Sequence, residues 1–116
     1  MTKAEEYYFK EGCFIEEWHN DAKDKNCSIA KVRLEPEKTT KLHALMGTTE
    51  RYVILDGTGV VTVADKSWDV GQGDVVVIAP DEPQKIKNTS SGDLIFLAVC
   101  TPRFEVDHYY EVANPK

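Results

Sequence analysis

Three side chains able to do chemistry sit inside short apolar or strand-like stretches of this 116-residue chain. They are His43 in "KLHALMG", Glu50 at the head of "ERYVILDG" and Gln84 in "PQKIKN". An imidazole nitrogen suits zinc, iron, copper or nickel, whereas carboxylate and amide oxygens suit harder ions such as manganese or magnesium. His43, Glu50 and Gln84 are therefore the candidate metal ligands, for one divalent ion among zinc, manganese, nickel and iron. Without a metal, Glu50 is the candidate catalytic residue, as a general base. The competing reading is structural: the three side chains hydrogen-bond one another in a barrel interior, because buried polar groups need partners. A buried carboxylate also needs a cation, and a histidinium at position 43 would serve.

Strand parity decides which neighbours share their face. Side chains alternate along a strand. An inward His43 brings Leu45 inward, an inward Glu50 brings Tyr52 and Ile54, and an inward Gln84 brings Ile86 and Asn88 while Lys85 and Lys87 go to solvent. The resulting pocket is mostly apolar with a few convergent polar groups, the usual form of a small-molecule site. Tyr52 is a candidate substrate-binding residue in it, or an aromatic filling the barrel. Arg33 is the second candidate. If the strand face it shares with Lys31 lines the barrel mouth, it binds a substrate carboxylate or phosphate; if that face meets water, it is ordinary surface charge.

The elements that must position these groups are short strands between frequent turns. "EYYF" and "CFIEEW" read as strands separated by "KEG", and "HNDAKDKN" as a polar loop. "CSIAKVRLEP" alternates, with Ser28, Ala30, Val32 and Leu34 on one face. "RYVILDGTGVVTVAD" predicts two strands joined as a hairpin at residues 56–59. "GDVVVIAP" is a strand, and "QKIKNTSSGDLIFLAVCTP" gives two more around a turn. Residues 104–116 hold a turn of helix or an ordered tail. Helical periodicity is weak throughout, so roughly nine strands predict an all-β barrel or sandwich.

Composition narrows the function classes. One compact domain spanning 1–116 is expected at this length. Twenty acidic residues against fourteen basic ones leave a net charge of −6. Such a surface repels phosphate backbones, so nucleic acid is not an expected partner. No apolar run approaches the roughly 20 residues of a membrane span. The charged N-terminus is unlike a signal peptide, which points to the cytoplasm. Cys13, Cys27 and Cys100 make no CxxC pair and are odd in number, so three reduced thiols are expected rather than a disulfide framework.

Set in order, these residues resemble the two motifs of the cupin superfamily. In the first, Glu37 stands at the opening glycine position, His43 keeps the first histidine, Leu45 replaces the second, and Glu50 and Gly57 fall in register. In the second, Gly73 opens a strand "DVVVIA", Ala79 and Asp81 take the Pro and Gly positions, Gln84 replaces the histidine and Asn88 closes the motif. Fifteen residues separate Gly57 from Gly73, similar to the short spacing of microbial single-domain cupins.

The resemblance covers about residues 26–102, with N-terminal strands over 5–18 and a tail over 103–116. It implies a double-stranded β-helix, a cupin-type jelly-roll barrel, and a homodimer in which the N-terminal aromatics Tyr7, Tyr8, Phe9, Phe14 and Trp18 form dimer or core surface. It also implies a metal-dependent isomerase, epimerase, lyase or cyclase acting on a small sugar or organic acid, with sugar-phosphate isomerases as an analogous branch. Oxygenase chemistry is disfavoured, because its usual set is two histidines and a carboxylate. The alternative is a metal-free module that binds a sugar or acid without catalysis, or a barrel kept for assembly. His19 and His108 are read as solvated histidines and Arg103 as an ion-pair partner rather than a substrate clamp.

Overall fold

A computed structural model describes residues 5–113. Eleven strands run from β1 (Tyr7–Phe9), β2 (Cys13–His19), β3 (Ser28–Leu34) and β4 (His43–Leu45) through β5 (Thr49–Asp56), β6 (Thr58–Val63) and β7 (Lys66–Gly71). The chain then continues as β8 (Val75–Ile78), β9 (Gln84–Asn88), β10 (Leu94–Thr101) and β11 (Tyr109–Glu111). One 3-10 turn, Val106–His108, precedes β11. No helix among the described residues is long and apolar enough to cross a membrane.

The strands form two antiparallel sheets, a six-stranded one ordered β1-β2-β3-β10-β5-β8 and a five-stranded one ordered β11-β4-β9-β6-β7. This is the jelly-roll architecture expected from the strand count and the motifs. The core lies between the sheets and is made by the alternating inward positions: Val32 and Leu34, Tyr52 and Ile54, Val61, Ile86, Leu94 and Phe96. Each such aliphatic or aromatic side chain contributes about 2–3 kcal/mol by leaving water.

The hairpin expected at residues 56–59 does not form. β5 pairs with β10 and β8, whereas β6 pairs with β7 and β9. Asp56-Gly57 is a corner where the chain leaves one sheet for the other. Gly57 is required there: its φ is +89°, and an added Cβ would lie 2.9 Å from Ser90 Oγ and 3.0 Å from the Asp93 carbonyl oxygen. The turn signal was correct, but its composition says only that the chain bends.

The "NTSSGD" turn is another crossing between sheets, from β9 to β10. Asn88 holds it: its amide nitrogen donates to the carbonyls of Leu34 and Gly92, at 2.9 and 2.8 Å, and its Oδ1 accepts from the Ser90 backbone N–H at 2.8 Å. Its place at the end of the second motif is thus structural. The three cysteines are free, Cys13 and Cys100 buried.

Candidate functional site

β4 and β9 bring His43 and Gln84 face to face as a directly paired couple in the five-stranded sheet. β5, in the opposite sheet, carries Glu50 and Tyr52 inward at alternate positions. All four side chains are buried, with exposures of 1–7%. The predicted parity holds at each: Leu45 joins His43, Ile54 joins Glu50, and Ile86 and Asn88 join Gln84, while Lys87 is exposed.

A fifth group completes the cluster and was not anticipated. Glu11 lies in the turn between β1 and β2, and its Oε1 is 3.2 Å from His43 Nε2. A backbone bond fixes that turn against the other sheet, from the Lys41 N–H to the Glu11 carbonyl at 2.9 Å. Lys41 then orients the imidazole: its carbonyl oxygen is 2.7 Å from His43 Nδ1. A carbonyl only accepts, so Nδ1 carries a proton and Nε2 is the nitrogen that faces Glu11. At 3.2 Å, Nε2 and Oε1 stand within ion-pair distance of each other. The Cys13 thiol donates to Glu11 Oε2 at 3.6 Å. Tyr109 stacks on the His43 ring, with centroids 5.1 Å apart.

The electrostatics follow from burial. Desolvation raises the Glu11 carboxyl to about 7, with the Cys13 hydrogen bond opposing the rise. Desolvation and then the Glu11 charge raise Glu50 to about 7, against the pull of His43 and of a hydrogen bond with Gln84. Burial lowers His43. Tyr52 is pushed well above its ordinary value, first by burial and then by Glu50, and its hydroxyl donates to Gln84 Oε1. Tyr52 is therefore a neutral donor locked onto Gln84. Glu50 Oε1 has no hydrogen-bond partner. An unsatisfied buried carboxylate oxygen is uncommon and asks for a donor from outside the chain.

These groups line a narrow cleft with about 50 Å³ of free volume that opens to solvent. Glu11, His43, Glu50 and Tyr52 form its buried polar part, and Leu45, Val32 and Phe96 its apolar walls. Tyr7 and Phe9 line it as well, so these two N-terminal aromatics belong to a ligand cleft rather than only to core or dimer surface. The feature hidden in the sequence was Glu11: an acid in a "KEG" turn looks solvated, and no periodicity places it beside a strand thirty residues away.

Arg33 is not brought to the cleft. It lies on the outer face of β3, where its guanidinium meets Glu6 at 2.8 Å and Asp93 at 3.3 Å and covers the Phe14 ring. Parity explains this, because Val32 and Leu34 take the core side. Arg103 has the structural role expected of it, donating to Asn20 Oδ1 at 2.7 Å and standing 3.6 Å from Glu105. His19 is exposed and pairs with Asp24 at 2.8 Å. His108 is less solvated than expected: its Nδ1 is enclosed and without a hydrogen-bond partner.

As arranged, His43, Glu50 and Gln84 do not make a ready metal site. Gln84 Oε1 is taken by the Tyr52 hydroxyl, His43 Nε2 faces Glu11, and Leu45 puts a hydrocarbon where a further ligand would stand. Among the described residues no three His, Cys, Asp or Glu side chains gather as a coordination set.

Two antiparallel sheets closed around a polar-ended cleft, with both motifs in register on β4, β5, β8 and β9, define a small jelly-roll barrel of the cupin class. The family model described as "Cupin domain" matches residues 30–100, and the chain belongs to that family. Over 104 residues it is 31% identical to an uncharacterized protein of Methanocaldococcus jannaschii, covering 88% of this chain and 83% of the relative. It is 37% identical over 84 residues to the oxalate-binding protein of Thermotoga maritima, covering 72% of this chain and 66% of that one. In fold it is similar to the Streptomyces nucleoside dehydratase Pac13, solved with uridine. The TM-score is 0.80 at 15% identity, over 95% of this chain and 85% of that one.

Proposed function

We propose that this cupin is an acid–base enzyme of the isomerase or lyase kind, acting on a small polar metabolite bound in the cleft between the sheets. The observation that carries the reading is Glu50: a buried carboxyl raised to about 7, with Oε1 unpartnered, in the lining of that cleft. A base whose affinity for protons lies near the working pH is populated in its active form and still drives proton transfer. The Glu11–His43 pair is the complementary acid, because Glu11, raised to about 7, carries a proton 3.2 Å from His43 Nε2.

The proton balance is simple. Glu50 takes a proton from a carbon beside a carbonyl or hydroxyl-bearing carbon, and the C–H electrons form a double bond. In an elimination the C–O bond on the neighbouring carbon breaks, and the hydroxyl leaves as water with the proton from Glu11–His43. In an isomerisation the carbonyl π electrons move to its oxygen, which takes the proton from Glu11–His43; the neighbouring hydroxyl then returns a proton to that pair as it becomes the carbonyl, and Glu50 delivers its proton to the former carbonyl carbon. The apolar walls exclude water and strengthen each of these interactions. The similarity in fold to a nucleoside dehydratase is in keeping with elimination.

The test is solvent exchange. Panels of uncharged sugars, nucleosides and hydroxy-ketones are incubated with the protein in D₂O and followed by NMR. Deuterium incorporation or alkene formation is expected with the wild type and is lost in Glu50→Gln and in His43→Ala. A panel that stays unchanged, or turnover that persists in Glu50→Gln, refutes the reading and leaves a binding module.

A further inference from the structure

The charges of the cleft restrict what it accepts. Its acidic and imidazole lining consists of Glu11, Glu17, Glu50, His19 and His43, and among the described residues no lysine or arginine belongs to it. His19 is engaged by Asp24 at 2.8 Å and His43 by Glu11 at 3.2 Å. Several cations on surrounding elements are engaged elsewhere. Arg33 is bound by Glu6 and Asp93 on the outer face, and Lys41 stands 4.0 Å from Glu111. The Lys10 ammonium sits over the Tyr109 ring, 4.8 Å from its centre. Arg103 lies in the hollow outside the mouth, but Glu17, Glu105 and Asp107 line the same hollow. Among the described residues, a dianion entering this path meets carboxylates and no lysine or arginine in the cleft lining.

The remaining lining is aromatic and aliphatic, with Tyr7, Phe9, Tyr52, Phe96 and Phe104 among it. Such walls suit a ring with an apolar face. The one unsatisfied polar atom among them is Glu50 Oε1, an acceptor that a ligand hydroxyl or N–H satisfies without adding charge. His43 Nε2 already faces the Glu11 carboxyl at 3.2 Å, so it is not a free counter-ion for a charged ligand.

We infer that the cleft takes an uncharged, hydroxyl-bearing ring compound, in the manner of a nucleoside or a sugar, and excludes small dicarboxylates. This rests on the reading of the cleft as the substrate site and narrows it. It sets the chain apart from the oxalate-binding relative despite 37% identity, because that relative's named ligand carries two negative charges.

Binding is measured by calorimetry and thermal shift on the full chain with five probes: uridine, methyl glucoside, oxalate, malate and putrescine. Uridine or methyl glucoside is expected to raise the melting temperature, and oxalate to bind at least roughly a hundredfold more weakly, the scale of a like-charge mismatch. Glu17→Lys, which leaves the buried groups intact, is expected to strengthen oxalate binding relative to the uncharged probes. Oxalate, malate or putrescine binding more tightly than both uncharged probes overturns the inference, and so does a flat response to all five. The two readings fail separately. Malate, a dicarboxylate with exchangeable C–H bonds, that binds more tightly than both uncharged probes and exchanges deuterium only when Glu50 is intact refutes the ligand class and keeps the acid–base chemistry. Uridine that binds but is inert in wild type does the reverse.

Discussion

Replacing Glu50 by glutamine tests whether a buried carboxyl is held in this cleft at a cost. In the folded chain burial raises Glu50 from 4.5 to about 7. The folded protein therefore holds a proton that the unfolded chain has released between those values, and stability falls as pH rises through about 7. The interval corresponds to about 3 kcal/mol in full, at about 1.4 kcal/mol per pH unit. His43 acts in the opposite sense. Burial lowers it below 6.5, so the unfolded chain takes up that proton first, and stability is lost as pH falls below 6.5. The window above pH 6.5 isolates the carboxyls, where each contributes about 1 kcal/mol between pH 8 and 6.5.

Glu11 is raised to the same region by burial, and the two titrate as a coupled pair rather than singly. Glu50→Gln is isosteric and cannot ionise. It is expected to be more stable than wild type at pH 8 and to lose about 1 kcal/mol of that advantage by pH 6.5. Urea unfolding followed by circular dichroism over that range measures the difference directly. A gap between wild type and variant that stays constant with pH, or a variant less stable than wild type at pH 8, refutes the argument. Either result would mean that Glu50 is solvated or already paired in the folded chain.

Two further outcomes follow from the same geometry. Gly57→Ala forces a Cβ within 3.2 Å of three atoms at φ +89° and is expected to cost about 2 kcal/mol or more, read as a lower urea midpoint with an unchanged slope. The double variant Leu45→His, Gln84→His frees the cleft of the Tyr52–Gln84 bond and adds two imidazoles beside His43. It is expected to gain zinc or nickel binding with a raised melting temperature that the wild type does not show under the same metal; an equal rise in both would place a metal on the native donors.

Much of the framework could be read from the sequence because its signals are local. Alternation placed Glu50, Tyr52 and Ile54 on one face and Gln84, Ile86 and Asn88 on another, since side chains along a strand can only alternate. The two motifs in order specified the jelly roll. The same locality marked the bend at Gly57 but misread it as a hairpin: a glycine reports that the chain turns, and not which strand it then pairs with. Arg33 was assigned to a face by parity, yet parity says nothing about which of two faces is the interior until the opposite sheet is in place. Glu11 gave no local sign at all. It became part of the site because Lys41 bonds to its carbonyl and brings a turn of one sheet against the first strand of the other. The sequence by itself thus determined the barrel and three of its inward polar groups. Only the closure of two sheets against each other decided that Gln84 is spent on Tyr52, that His43 faces a second carboxylate, and that both carboxyls lose their water. Desolvation and ion pairing depend on neighbours distant in the chain, so they are properties of the packed pair of sheets and of no single stretch of residues.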